Sequence, residues 1–217
     1  MSVEGADSAA VVETRLLHKM HRAATSLLAD AARKPAAPPA ALEELRDFLV
    51  AALRHHHESE DEVLWPQLTA ADPAAAAGLA ELAAEHDALD ASLDALAAAP
   101  VHNVADRAVL IAAAIAVRDL VHSHLDHEEP LLFPALTAHM SDDAWAEFSR
   151  AVIASAPPVG AHLNIGFFER VGSPAELAAV TANLPPAALE LVPAMREQAD
   201  ATLNSLESTQ QERTVTA

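Results

Sequence analysis

The stretch RHHHESEDEVLWPQL at residues 54–68 recurs in altered form as HSHLDHEEPLLFPAL at residues 122–136. At an offset of 68 residues, both stretches contain a histidine, a glutamate four residues later, and then an aromatic residue followed by proline. The aligned pairs are His56 with His124, Glu60 with Glu128, Trp65 with Phe133, and Pro66 with Pro134. The same offset aligns His18 with His86, so a histidine precedes each stretch at the same distance. This duplication predicts two equivalent sets of metal ligands.

The composition around the repeat favours helices. Hydrophobic residues make up 52 % of the 217 residues, many of them alanine and leucine, whereas there are only 5 glycines and no tyrosine. Strands prefer β-branched and aromatic side chains, which are scarce here. Long helical patterns joined by short breaks therefore predict an all-α fold, an up-down-up-down four-helix bundle with a helical C-terminal extension. We assign residues 9–140 to the bundle and residues 141–217 to the extension, with a disordered tail at 208–217.

The breaks give approximate helix limits. The bundle helices are predicted at residues 9–33, 40–64 and 73–98, and from the break at 99–103 to about residue 132. Proline should end the second of these at Pro66 and should kink or loosen the last turns of the fourth at Pro130. The extension is predicted to contain helices at about residues 141–154, 160–171, 174–183 and 186–207. Its apolar face is expected to pack on the bundle or on a second subunit.

Charge and cysteine content exclude several classes of function. The chain has 13 basic and 32 acidic residues and a formal charge of −19. Nucleic acids and anionic membrane surfaces are bound through lysine and arginine, so neither is an expected partner. The absence of cysteine excludes disulfides and thiolate metal sites. The N-terminal residues resemble no signal peptide and no apolar run is long enough to cross a bilayer, so we expect a soluble cytoplasmic protein.

The repeated histidines and glutamates have the spacing of metal ligands. Residues four apart on a helix project from one face, so His56 can act with Glu60, and His124 with Glu128. In an antiparallel bundle these two pairs lie on diagonal helices and meet at the centre, where a histidine from each remaining helix joins them. Four imidazoles and two carboxylates suit two metal ions, with the glutamates bridging. The predicted ligands are His18, His56, Glu60, His86, His124 and Glu128.

Two choices refine this set. His18 is preferred over His21, because the repeat places His21 on the apolar Leu89 and because His18 and His56 lie at equal depth from the break between their helices. A donor set of nitrogen and oxygen without thiolate suits iron or manganese better than structural zinc. Ferritin-like proteins use Glu-x-x-His, with the opposite order and a shorter step. The pattern therefore favours a histidine-rich diiron site.

The remaining polar residues near the motif are expected to have other roles. We expect six histidines to turn away from the centre, namely His55, His57, His102, His122, His127 and His139. His162 in the extension has no assigned role. Glu58, Asp61 and Glu129 are interpreted as solvated carboxylates or as partners of the ligands. Trp65 and Phe133 are expected to close the apolar end of the bundle and to shield the site.

These segments resemble a known family. HHESE at residues 56–60, EHDAL at 85–89 and HLDHE at 124–128, together with His18, resemble the hemerythrin-like HHE cation-binding domain. HHHESEDEVLWP at 55–66, LLHKMHRAA at 16–24 and SDDAWAEF at 141–148 resemble its actinobacterial members. The resemblance covers about residues 10–150. It implies a four-helix bundle that holds two non-haem iron ions joined by an oxo or hydroxo bridge.

The resemblance also suggests functions. The family's roles imply that the chain binds or senses O2, nitric oxide or peroxide, and the alternative is a catalase-like enzyme that decomposes hydrogen peroxide. A third possibility is purely structural, namely a bundle whose folding is coupled to metal binding. The chain departs from the O2-carrying members, because Asp90 stands where their third helix has a second histidine and Glu128 follows His124 by four residues instead of five. This departure disfavours reversible O2 carriage. An oligomer formed through the extension is also possible.

Overall fold

The computed structural model describes residues 7–102 and 107–208, and within these ranges it contains helices and no strand. The predicted all-α class is therefore confirmed. The α-helices are α1 (Ala9–Ala31), α2 (Pro39–Ser59), α3 (Trp65–Ala71), α4 (Ala76–Ala98), α5 (Arg107–His139), α6 (Asp142–Ser155), α7 (Ala161–Val171), α8 (Pro174–Ala182) and α9 (Pro186–Glu207). A π-helical turn, Glu60–Leu64, joins α2 to α3, and a 3-10 turn, Pro73–Ala75, precedes α4.

Helices α1, α2, α4 and α5 form the four-helix bundle. Helix α1 packs on α2 and α5, and α4 packs on the same two helices, so α2 and α5 are diagonal partners. The buried apolar side chains form two clusters, one containing Met20, Leu45 and Leu93 and the other containing Val11 and Leu132. Along the sequence of these helices, a layer of buried histidines and glutamates lies between the two apolar clusters. The bundle thus places polar side chains in its interior.

Two predicted helix ends, both next to a proline, are wrong. The second bundle helix does not stop at Pro66, because the Trp65 N–H donates to the Glu60 carbonyl across the π-helical turn and Pro66 then lies in the first turn of α3. A residue there needs no N–H partner within the helix. Helix α5 likewise continues past residue 132 to His139, with Pro130 and Pro134 inside it.

The extension packs against the bundle. Ser141 caps α6 as its sequence predicts, accepting a hydrogen bond from the Ala144 N–H at 3.3 Å. Helices α6, α7, α8 and α9 all contact α1, and α7 and α9 also contact α2 and pack on each other. An added Cβ at Gly166 would lie 2.5 Å from that of Ala199, so glycine permits the close approach of α7 to α9. The predicted disordered tail falls mainly on residues 209–217, which lie outside the described ranges, as do residues 103–106.

One helix of the bundle has the length and composition of a membrane span. Helix α5 contains a window with a mean hydropathy of 1.5. The same helix packs between α1 and α4 and carries the buried polar residues His124 and Glu128. The central helix of a soluble bundle has the same apolar composition, so the hydropathy of α5 alone is a weak argument for a membrane.

Candidate metal centre

All six residues that the repeat singled out meet inside the bundle, and each bundle helix contributes one histidine. Each glutamate lies between two of these histidines. Glu60 Oε1 is 3.6 Å from His56 Nε2, and Glu60 Oε2 is 3.6 Å from His86 Nε2. Glu128 Oε2 is 3.3 Å from His124 Nε2 and 3.7 Å from His18 Nε2. The arrangement follows the internal repeat.

The donors form two overlapping groups, each with the dimensions of a site for one cation. One group is His18, His56, Glu60 and Glu128, the other is Glu60, His86 and His124, and the donor atoms of each lie within 4.8 Å of one another. Glu60 belongs to both, and Glu128 connects them because it also contacts His124. All six side chains are buried.

The donor atoms have few partners other than one another. Among the residues that the structure describes, the Nε2 atoms of His18 and His56, Oε2 of Glu60 and both carboxylate oxygens of Glu128 have no hydrogen-bond partner. Burying a polar group without a partner costs about 1–3 kcal/mol, and more for a charged group. Cations coordinated at this point would satisfy these atoms. The donor set therefore fits a metal centre better than it fits a hydrophobic core.

Carboxylates at the edge of the centre orient three of the histidines. His18 Nδ1 lies 3.1 Å from Glu129 Oε1, and His86 Nδ1 lies 3.0 Å from both oxygens of Asp61. These two contacts are related by the same 68-residue offset as the ligands. An Nδ1–H that donates to a carboxylate leaves the Nε2 lone pair free for a metal. Asp61 and Glu129 thus act as the partners that the sequence suggested, while Glu58 is exposed.

A third carboxylate has no equivalent in the repeat. Glu85 contacts His124 Nδ1 at 2.9 Å and His127 Nδ1 at 3.0 Å. The offset of 68 residues places Leu17 at the corresponding position in the first repeat, and leucine cannot accept a hydrogen bond. The repeat therefore gives no signal for Glu85.

An arginine strengthens one edge of the centre. Arg22 donates to Glu129 and, at 2.8 Å, to Asp126. The hydrogen bond from His18, with those from Arg22, lowers the pKa of Glu129 to about 2. Glu129 therefore stays ionised at any physiological pH, and it orients His18 as an anion.

The two buried glutamates differ in their electrostatics in the absence of a cation. Burial, together with repulsion from Glu128, raises the pKa of Glu60 well above its ordinary value. Burial also acts to raise the pKa of Glu128, but the neighbouring His18 and His124 outweigh it, and the pKa is lowered. Cations at the centre would remove the repulsion between the two carboxylates.

Two further histidines are buried beside the ligands. His57 stacks on His86 with ring centroids 4.3 Å apart, and its Nδ1 lies 3.1 Å from Asp90 Oδ1. The expectation that His57 turns away from the centre is therefore wrong, because adjacent helical residues both fit a wide buried face. His21 lies 4.8 Å from His56 between ring centroids. Burial lowers the pKa of His21 to about 3 and that of His57 to about 2, so both rings are neutral.

The other histidines lie outside both donor groups. His162 is buried in the extension, with Nε2 3.2 Å from Glu44 Oε1, and it connects α7 to α2. His102 and His127 are mainly exposed. The aromatic residues of the repeat cover the ligands, since Phe133 stacks on His18 and Trp65 stacks on His86.

Comparison with protein families gives a match over most of the bundle. The model of the hemerythrin HHE cation binding domain matches residues 12–144, which include all six donors of the centre. No curated protein and no solved structure matches the chain.

Proposed function

The chain belongs to the hemerythrin HHE cation-binding family, and we propose that it holds two iron ions and uses them to bind or sense O2, nitric oxide or peroxide. The observation that carries this proposal is the set of buried donors without other partners, with each glutamate lying between two histidines. In the family context, such a set supports metal coordination by His18, His56, Glu60, His86, His124 and Glu128.

Two ions fit the donor set better than one. The donors divide into two groups that share Glu60 and are connected through Glu128. A carboxylate has two oxygens and can coordinate one cation with each. Glu60 and Glu128 are therefore the proposed bridges, and the histidines are the proposed terminal ligands.

The donor chemistry supports iron. Nitrogen and oxygen donors with bridging carboxylates suit iron or manganese. The chain has no cysteine that could form a thiolate site. Iron ions held by these residues would supply Lewis-acid and redox chemistry toward a diatomic molecule or peroxide. The six donors would hold the ions, while Phe133 and Trp65, which stack on His18 and His86, would limit the access of water.

The two sides of the centre suggest where a small ligand enters. His18, His86 and His124 are each held by a carboxylate at Nδ1. Among the described residues, no carboxylate contacts Nδ1 of His56. His56 lies beside His21, and Nδ1 of His21 has no hydrogen-bond partner among these residues. We propose that a small ligand approaches from the side of His56.

Spectroscopy of one purified sample tests the proposal. The protein loaded with ferrous iron should show a reversible change in its optical spectrum with O2 or nitric oxide, or a defined change with peroxide, and His56→Ala should lose it. His102→Ala is the matched control, because His102 is exposed. Steady oxygen evolution from peroxide would instead support the catalase-like alternative. An unchanged spectrum with every ligand, together with unfolding on chelation, would leave only a structural role for the metal.

The same proposal extends to location and partners. We propose a soluble cytoplasmic protein whose partners are small ligands and include neither nucleic acid nor membrane, in keeping with the net charge of −19. An oligomer formed through the extension would use its exposed apolar side chains, which include Leu189 and Leu191.

A further inference from the structure

An apolar cavity of about 370 Å³ lies between the bundle and the extension. Its bundle walls come from α1 and α2 and include Leu17, Met20 and Phe48. The extension contributes α6 and α7, with Phe148 and Phe168 among the lining side chains. Small-molecule sites commonly have volumes of about 300–1,000 Å³, so the cavity is large enough for an organic ligand.

The inner end of the cavity is the metal centre itself. His21, His56 and Glu60 line it, and all three are buried. The opposite end lies at the α6–α7 connection, where Pro158 and Val159 are exposed to solvent. The cavity therefore leads from the surface of the extension to the side of the centre where His56 Nδ1 has no carboxylate partner among the described residues.

Apart from the donors of the metal centre, two side chains that line the cavity have a buried nitrogen without a hydrogen-bond partner among the described residues, namely Trp145 Nε1 and His21 Nδ1. Glu13 accepts hydrogen bonds from Ser149 Oγ and Asn183 Nδ2, each at 3.0 Å. His21 is different, because its side chain is 1 % exposed and its Nδ1 has no partner. An unpartnered nitrogen at the end of an apolar cavity is the group that a bound molecule would satisfy.

We propose that this cavity binds an uncharged apolar organic molecule with one hydroxyl or carbonyl group, whose polar end bonds to His21 beside the metal centre. The aromatic and aliphatic walls favour ring or chain carbon. A charged ligand would lie against hydrocarbon along most of the cavity, which costs several kcal/mol.

This site goes beyond the binding of a diatomic molecule or peroxide, and it does not depend on which metal is present. The walls that form it come from protein side chains, so the ligand should bind both the metal-loaded and the metal-free protein. Failure of ligand binding and failure of iron binding are therefore separate results.

A pair of fluorescent dyes tests both the site and the charge preference. N-phenyl-1-naphthylamine is neutral, and 1-anilinonaphthalene-8-sulfonate has the same rings with a negative charge. The neutral dye should bind the metal-loaded protein at one site per chain with increased fluorescence, and the sulfonate should bind at least about tenfold more weakly. Equal affinity for the two dyes, or no saturable binding of the neutral dye, would overturn the proposal.

Variants that fill the cavity locate the dye. Ala52→Trp and Ile153→Trp place a large side chain into the cavity from α2 and from α6 respectively. Each should weaken the neutral dye by at least about tenfold. Val109→Trp is the matched control, because Val109 is 53 % exposed and does not line the cavity. Circular dichroism checks that the variants fold, and undiminished binding by either folded cavity variant would contradict the site.

Discussion

The two repeats supply equivalent ligands to the centre but surround them differently. In the second repeat, His124 is held by Glu85, and it lies with Glu128 on one continuous helix, α5. In the first repeat, His56 has no carboxylate at Nδ1, and Glu60 begins a π-helical turn. The cavity under the extension reaches only the first-repeat side. The second repeat therefore forms the enclosed side of the centre, and the first repeat forms its open side.

This difference separates two requirements of a reactive metal site. Holding a cation requires ligands whose orientation is fixed by further contacts. Binding an external ligand requires a position that the protein leaves free. A perfectly symmetric duplication would give both sides the same surroundings. Three aligned pairs of the repeat contain different residue types, and these differences make the two sides unequal. The pairs are Leu17 with Glu85, His21 with Leu89, and His57 with Leu125.

The strongest test of the shared part of the repeats is removal of the bridging glutamates. Glu60→Ala and Glu128→Ala should each reduce the metal content from two ions per chain to one or none, because each carboxylate lies between histidines of the centre. Elemental analysis after desalting measures the effect, and Glu58→Ala is the exposed control. Two ions per chain retained in either variant would refute the bridging assignment.

The pH dependence of the metal-free protein should come mainly from the first repeat. Burial lowers the pKa of His21, His56 and His57 below the ordinary value of 6.5. Below pH 6.5 the unfolded chain therefore binds more protons than the folded chain. Each of these groups then lowers the free energy of unfolding by about 1.4 kcal/mol for every pH unit by which the pH falls. Glu60 and His124 have raised pKa values and oppose part of this slope.

Urea unfolding of the metal-free protein between pH 7 and pH 5 measures this slope. The free energy of unfolding should decrease as the pH is lowered from 7 to 5. His57→Gln should reduce the slope of this decrease by the equivalent of about one bound proton. Leu125→Gln at the equivalent position of the second repeat introduces no titrating group and should leave the slope unchanged. A flat profile in the unsubstituted chain would contradict the burial of neutral histidines.

The outer carboxylates sharpen the comparison further. Asp61→Asn and Glu129→Gln occupy equivalent places in the repeat, so each should weaken metal binding by a similar factor, about 10–100-fold. Glu85→Gln should cause a loss of the same size, although the first repeat has no counterpart. Competition with a chelator measures the affinities. No effect from Glu85→Gln would remove the distinction between the enclosed and open sides.

The smallest effect is expected at His21. His21→Ala should leave two ions bound, because His21 belongs to neither donor group, whereas His18→Ala should remove a ligand. His21→Ala should instead weaken the neutral dye in the cavity. A greater loss of metal from the His21 variant than from the His18 variant would reverse the assignment on α1.

The sequence predicted the fold and the residues that meet at the centre, because both follow from periodicity. A His-x-x-x-Glu step, an offset of 68 residues and proline-rich breaks specify helices and shared faces. Glu85 was missed because it lies outside the repeated spacing and resembles any surface glutamate. His57 was wrongly placed because a single ligand stripe was assumed for α2, whose buried face is wide enough for two adjacent histidines.

The cavity could not be predicted from the sequence, and the cause is different. It depends on where α6 and α7 lie on α1 and α2, and this packing involves residues far apart in the chain. Helix ends near Pro66 and Pro130 were also misjudged, because Pro66 fits the first turn of α3 and α5 continues through Pro130 and Pro134. Local patterns indicate that a helix exists more reliably than they indicate its neighbours or its end.

Iron stoichiometry tests the central claim most directly. The unsubstituted chain should be loaded with ferrous iron without oxygen, desalted, and analysed for iron and protein in the same sample. Coordination by two overlapping donor groups predicts two iron ions per chain, retained after desalting. One iron or none per chain, under conditions in which the protein remains folded, would contradict a dinuclear centre.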